Sequence, residues 1–170
     1  MPVLVALVVL VNVLGGRSGG SGSAAEVSGT TTTARDRLPV VTVPTTAPSA
    51  AADAACPGLL QGLSGELLGE ASRRVSSASP YVRAWGDPAV VLVCGADRPA
   101  GFTTTAGLIQ IDAVQWYVDT SDAKTVVWTA VDRPVFVQVR VPASTDSASV
   151  TELTSHIAGA LPAQEPQPAP

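Results

Sequence analysis

The chain has 170 residues, enough for one domain with a real core and too few for two comfortable ones. Its 10 basic residues are outnumbered by 14 acidic ones, giving a net charge of -4, and its largest basic cluster is the Arg73-Arg74 doublet. That balance sets nucleic acid aside as a partner, because phosphate recognition needs a basic face.

Val3 to Leu14 is an apolar run interrupted only by Asn12 and followed by Gly15, Gly16 and the first basic residue, Arg17. It is shorter than the roughly 20 residues that cross a bilayer as a helix. A secretory signal carries positive charge ahead of its apolar stretch, and only Met1 and Pro2 stand there. Residues 1–14 are therefore expected to be a signal or membrane anchor, either one whose beginning lies upstream of Met1, the reading preferred here, or an atypical signal. A lipid anchor needs a Cys directly after such a run, and Cys56 is far downstream.

Residues 15–55 are Gly, Ser, Thr, Ala and Pro, with the run Thr30 to Thr33 and the patch Val40-Val41-Thr42-Val43-Pro44. This composition buries too little apolar surface to offset the entropy of ordering it, so a flexible linker is expected. A single globular domain is expected over 56–161, and a frayed Pro-rich tail over 162–170.

Within the domain, Pro57 stands at a plausible first helical position, and Leu59, Leu60, Leu63, Leu67 and Leu68 recur at helical steps. These predict an amphipathic helix ending near Gly69. Ser79-Pro80 opens a second, short helical turn through Trp85, capped by Gly86. Ala89 to Cys94 is a continuous apolar run of strand length, which predicts a central strand covered on both faces.

Ile109 and Ile111 alternate with Gln110, then Val114, Trp116 and Val118 alternate with Gln115 and Tyr117. The apolar parity switches across Asp112-Ala113. A two-residue hairpin turn does that, pairing Ile111 with Val114 and Ile109 with Trp116; a bulge in one longer strand is the alternative. A polar loop, Asp119 to Ala123, leads to Val126 to Val131, and Asp132-Arg133-Pro134 turns into a strand with Val135, Val137, Val139 and Val141 on one face. Ser149 to Leu161 closes the domain as a helix with Leu153, Ile157 and Leu161 in one stripe. The order predicts an α+β fold, a small antiparallel sheet of about four to five strands with an N-terminal and a C-terminal helix packed on one face.

Cys56-Pro57, the segment Pro80 to Cys94 with Gly95, and Ile111-Asp112-Ala113-Val114-Gln115-Trp116 together resemble the actinobacterial family called domain of unknown function 3515. Its strongest piece is Ala84-Trp85-Gly86-Asp87-Pro88 running into the apolar strand. At the hairpin turn the family is associated with Asn-Gly, where this chain has Asp112-Ala113. The resemblance implies an exported or membrane-anchored protein with no assigned activity, and so carries over no catalytic residue.

The two cysteines, Cys56 and Cys94, fall outside any CxxC spacing. In a reducing compartment they are two buried thiols; outside it they form a bridge tying the first helix to the apolar strand, the reading preferred here. Metal binding by the pair would need further ligands, and His156 alone is a poor third, so no metal or other cofactor is expected. No Gly-x-Ser-x-Gly elbow accompanies His156. Asp119, Asp122 and Asp132 suit turns better than a carboxylate cluster. Tyr81, Arg83 and Trp85 are the possible binding surface, because aromatic and Arg residues concentrate there; Trp116 and Trp128 sit on core parity, which leaves Trp85 as the tryptophan to be partly exposed if any is, with packing the preferred reading for it as well. The expected function is that of an extracytoplasmic domain, membrane-anchored through its N-terminal segment or secreted, that binds a cell-envelope protein or glycan without catalysis. A cell-envelope hydrolase with an unrecognised site is the alternative.

Overall fold

The computed structural model describes residues 37–170. The apolar segment 1–14 and the first part of the expected linker lie outside the described residues. Among those described, no helix is long and apolar enough to cross a membrane.

The first surprise is how early order begins. Strand β1, Val41–Thr42, lies in the stretch expected as linker, and helix α1 spans Ala50–Gly62 where a start at Pro57 was expected. Ser49 caps α1, its Oγ accepting from the Ala52 amide at 3.2 Å, and Asp53 lies in the first turn near the positive helix end. The Ala-rich run that reads as low complexity is also the best helix-forming sequence available. Pro57 sits inside the helix and forfeits one backbone bond, a cost offset by the buried face of Ala52, Cys56, Leu59 and Leu60.

The helix ends seven residues before Gly69, with Leu63 already extended. Leu67 and Leu68 belong instead to a small hairpin of β2 (Glu66–Leu67) and β3 (Glu70–Ala71). Its turn residues, Leu68 at φ 52° and Gly69 at φ 81°, both take the left-handed conformation that a tight two-residue hairpin requires. Strand β4, Val75–Ser76, then runs parallel to β1, with Val41 opposite Val75.

The segment expected as a short helical turn is strand β5, Val82–Trp85. Its alternation is hidden because apolar residues of both faces are buried and only Arg83 is exposed: Val82 and Ala84 pack in one cluster, Trp85 in another. Adding β5 brings the main sheet to six strands, one more than the upper expectation. With β6 (Val90–Ala96), β7 (Ile109–Ile111), β8 (Val114–Asp122), β9 (Thr125–Ala130) and β10 (Phe136–Pro142), the spatial order is β5-β6-β10-β9-β8-β7, every neighbouring pair antiparallel. Helix α2, Ala148–Ala160, follows β10, so the fold is α+β.

The β7–β8 register matches the hairpin reading, Ile111 opposite Val114 and Ile109 opposite Trp116. Asp112 supplies the positive φ, 48°, a conformation its short polar side chain tolerates. Ile109 is 48% exposed even so, because β7 is an edge strand. Strand β8 runs through the expected loop to Asp122 and pairs there with Thr125. In β10 the inward valines are buried, whereas Phe136, Gln138 and Arg140 are half-buried.

One core cluster joins both helices to the sheet, with Leu59 and Cys56 of α1 and Leu153 and Ile157 of α2 against Trp85, Leu92, Trp116 and Val137. A second cluster, Val43 with Val82, Ala84, Val91 and Val93, brings β1 and β4 residues against β5 and β6. Strand β6 thus contributes to both clusters, as a run of uninterrupted apolar residues should. The C-terminal segment expected to fray is held by its backbone: the Gln164 amide donates to Asp132 O at 2.8 Å, and Ala169 exchanges bonds with Phe102 and Thr104. Phe102 is buried there, with its ring 6.0 Å from Tyr117 and 6.3 Å from Phe136.

Candidate functional site

A cleft of about 600 Å³ opens where the end of α1 meets the chain between β3 and β5. Its shape follows from local sequence. Gly62 ends the helix, Ser64-Gly65 turns the chain, and the segment from Ser72 to Arg83 returns along the other side. Leu60, Leu63, Val75 and Val82 give it apolar wall, while Ser64, Ser72, Ser77 and Ser79 contribute hydroxyl-bearing residues.

Two arginines line it, Arg73 and Arg83. Arg73 is 7% exposed and held rigidly: NH1 donates to Gly86 O and NH2 to Pro39 O, each at 2.7 Å, and NH1 stands 3.5 Å from the Asp87 carboxylate. Its Nε is buried without a hydrogen-bond partner. Arg83 is exposed, and its NH1 donates to the neighbouring Val82 O at 2.9 Å. The wall between them is fixed by short polar contacts. Ser77 Oγ lies 2.7 Å from Thr45 Oγ1, which also accepts from the Ser79 amide, and Ser79 Oγ accepts from the Tyr81 amide.

Of the three residues proposed from sequence as a binding surface, the structure brings only Arg83 to the cleft wall. Tyr81 stands beside it in the chain, and its hydroxyl donates to Asp53 Oδ1 of α1 at 2.8 Å. That bond to a carboxylate, together with burial and the carboxylate's charge, raises the Tyr81 pKa. Trp85, expected to pack rather than to be exposed, is 2% exposed. Its indole faces the helix-side core, and Nε1 points to Ser64 O at 3.4 Å, so it supports the cleft's loop from beneath. Arg73 was legible only as half of a basic doublet; nothing periodic marks a residue that works from a loop between very short strands.

The remaining sequence candidates lie apart from the cleft, Asp119 and Asp122 in the last residues of β8, Asp132 after β9 and His156 on α2. Asp119 Oδ1 accepts from the Ser121 amide, which lowers its pKa, and Asp122 Oδ1 accepts from the Lys124 amide. Asp132 is buried; its Oδ2 accepts from the Gln115 amide at 3.0 Å and lies 3.6 Å from Arg133 NH1. His156 is half-buried on α2. Among the described residues no group of three or more His, Cys, Asp or Glu side chains is placed to hold a metal ion.

Cys56 and Cys94 are joined, with their Cα atoms 5.8 Å apart. Both are buried, at 0% and 1% exposure, and the bridge ties the middle of α1 to β6. It therefore holds one wall of the cleft at a fixed distance from the sheet.

A family model described as protein of unknown function (DUF3515) matches residues 3–166, which include every residue of the cleft. No curated protein and no solved structure matches the chain.

Proposed function

This chain belongs to the DUF3515 family of proteins of unknown function, and from that premise we propose that it is an extracytoplasmic accessory domain, tethered through its N-terminal apolar segment or secreted, that binds a cell-envelope ligand in the cleft. The observation that carries the reading is the cleft itself. A concavity of about 600 Å³ lies within the range of small-molecule sites, roughly 300 to 1,000 Å³, and its walls mix apolar surface with hydroxyl and guanidinium groups. Closed disulfides persist in oxidising compartments, so the Cys56–Cys94 bridge supports an extracytoplasmic site. Binding is favoured over hydrolysis because Asp119, Asp122 and Asp132 each accept a backbone amide in a turn or strand junction.

Gly65 gives the test. A side chain there meets nothing within 4 Å, and its backbone needs no positive φ, so Gly65→Trp adds bulk at the cleft while sparing the core. Full-length protein from the native membrane fraction should show no free thiols and should sediment with purified cell envelope. The Gly65→Trp variant should lose at least about tenfold in that association at unchanged melting temperature. Equal association of the two proteins, or free thiols in the native protein, would sink the proposal.

A further inference from the structure

We infer that the cleft takes an anionic ligand, a carboxylate or phosphate group carried on a hydroxylated small molecule, with Arg83 as its direct contact. This deepens the binding proposal and rests on it.

The first argument is charge reversal. The chain as a whole carries a net charge of -4, yet the charged residues lining the cleft are Arg73 and Arg83 alone. A second hollow, of about 160 Å³ between the β2–β3 hairpin and the start of α2, has the opposite lining, with Glu70, Asp87 and Asp146 around an apolar floor. These two concavities thus differ in the sign of their charged lining residues, and a concave wall of one sign concentrates counter-ions.

The second argument is how each guanidinium is held. Arg73 is immobilised by two carbonyl oxygens, and its counter-charge, Asp87, has a side chain 64% exposed to water. The Arg73 guanidinium thus spends its donors on Pro39, Gly86 and Asp87, of which the last two line the second hollow. Its Nε is a buried donor with no acceptor, a group that a native structure ordinarily satisfies. Arg83 spends one donor on Val82 O, and a guanidinium offers five in a planar fork that matches carboxylate and phosphate oxygens. Arg73 braces the wall; Arg83 reaches the ligand.

The third argument concerns the rest of the ligand. Ser64, Ser72, Ser77 and Ser79 line the same cleft, and hydroxyl groups recognise other hydroxyls by donating and accepting at one atom. A cleft of about 600 Å³ exceeds what a bare oxyanion fills, which favours an anion borne on a larger polar body.

Full-length protein labelled with nitrogen-15 is titrated with inorganic phosphate, glucuronate and glucose, each against sodium chloride at matched ionic strength. Saturable shifts are expected at the Ser64, Gly65 and Ser72 amides and at the Arg83 Nε–H with phosphate and glucuronate. Glucose should bind at least about tenfold more weakly than glucuronate, and Arg83→Gln should weaken both anions about tenfold. Tighter glucuronate identifies a sugar-borne carboxylate and tighter phosphate a phosphoryl group; either sustains the inference. Equal binding of glucose and glucuronate, shifts no larger than those with chloride, or full affinity in Arg83→Gln each overturns it. If the anions fail while Gly65→Trp still abolishes envelope association, the ligand class falls and the binding proposal stands.

Discussion

Ala52 of α1 rests directly on Gly95 of β6: a methyl group on Gly95 would lie 2.5 Å from Ala52 Cβ and 3.7 Å from Cys56 Sγ. Helix and strand approach this closely because Gly95 has no side chain, and because its φ of +77° turns the backbone in a way other residues resist. The adjacent Cys94 can then reach Cys56.

Gly95→Ala should destabilise the protein by about 3 kcal/mol, combining overpacking with the cost of a left-handed alanine. Adding Ala52→Gly removes the collision and leaves the φ penalty, so the double variant should recover about 1 kcal/mol relative to additivity. Urea unfolding of the four proteins in the cycle decides it. Strict additivity would show that the two residues do not press on each other.

Opening the bridge should cost about 4 kcal/mol, the chain-entropy value for a loop of sequence separation 38. The urea midpoint should fall on full reduction, with thiol alkylation and mass confirming that both cysteines are free. Cys56→Ala/Cys94→Ala should unfold at one midpoint with or without reductant. A reduced, alkylated wild-type protein as stable as the oxidised one would contradict this.

Arg73→Ala should cost about 2 kcal/mol, because it strands the Gly86 and Pro39 carbonyls that the guanidinium satisfies. The effect should concentrate where the chain enters the domain. Amide exchange should quicken at Val41 and Val43, which donate to Arg74 O and Ser76 O. The Cys94 amide, which donates to Tyr81 O within the main sheet, should change less.

Tyr81 should ionise at higher pH than an isolated tyrosine, about 10, because its hydroxyl donates to Asp53. A folded pKa above the unfolded one means that the bond's contribution is complete below the unfolded value and is lost as pH rises through the folded value. In a Tyr117→Phe background, which leaves a single tyrosine, absorbance at 295 nm should titrate later with Asp53 present than in Asp53→Ala. Coincident curves would remove the bond from solution.

Much of the fold is readable where one face is buried and the other is not. The Ile109 to Val118 hairpin and the valines of β10 follow strict alternation, and Leu153, Ile157 and Leu161 mark α2 by their helical step. Elements that escape the sequence obey other rules. Strand β5 buries Val82 and Ala84 on one face and Trp85 on the other within four residues, and α1 hides its start in alanines and carries Pro57 inside it. The C-terminal segment is held through backbone amides, which leave no trace in composition. For the candidate site, Arg83 could be guessed from its aromatic neighbours, whereas Arg73 and the serines depend on which loops meet in space.

The entry of the chain and the bridge behind it also define how the domain bears tension. A pull from the N-terminal side of Pro39 first loads the Arg73–Pro39 bond and the amides of Val41 and Val43. Once these yield, the residues up to Cys56 pay out, about 60 Å of chain at full extension. Force then crosses the covalent link into β6 and bypasses the rest of α1. Residues 57 to 93 cannot lengthen while the link holds, so such a pull would uncover β5 and β6 where Val43 packs and leave the loop between the cysteines closed. The bridge therefore divides the domain into a part that a pull can lengthen and a closed loop of fixed span.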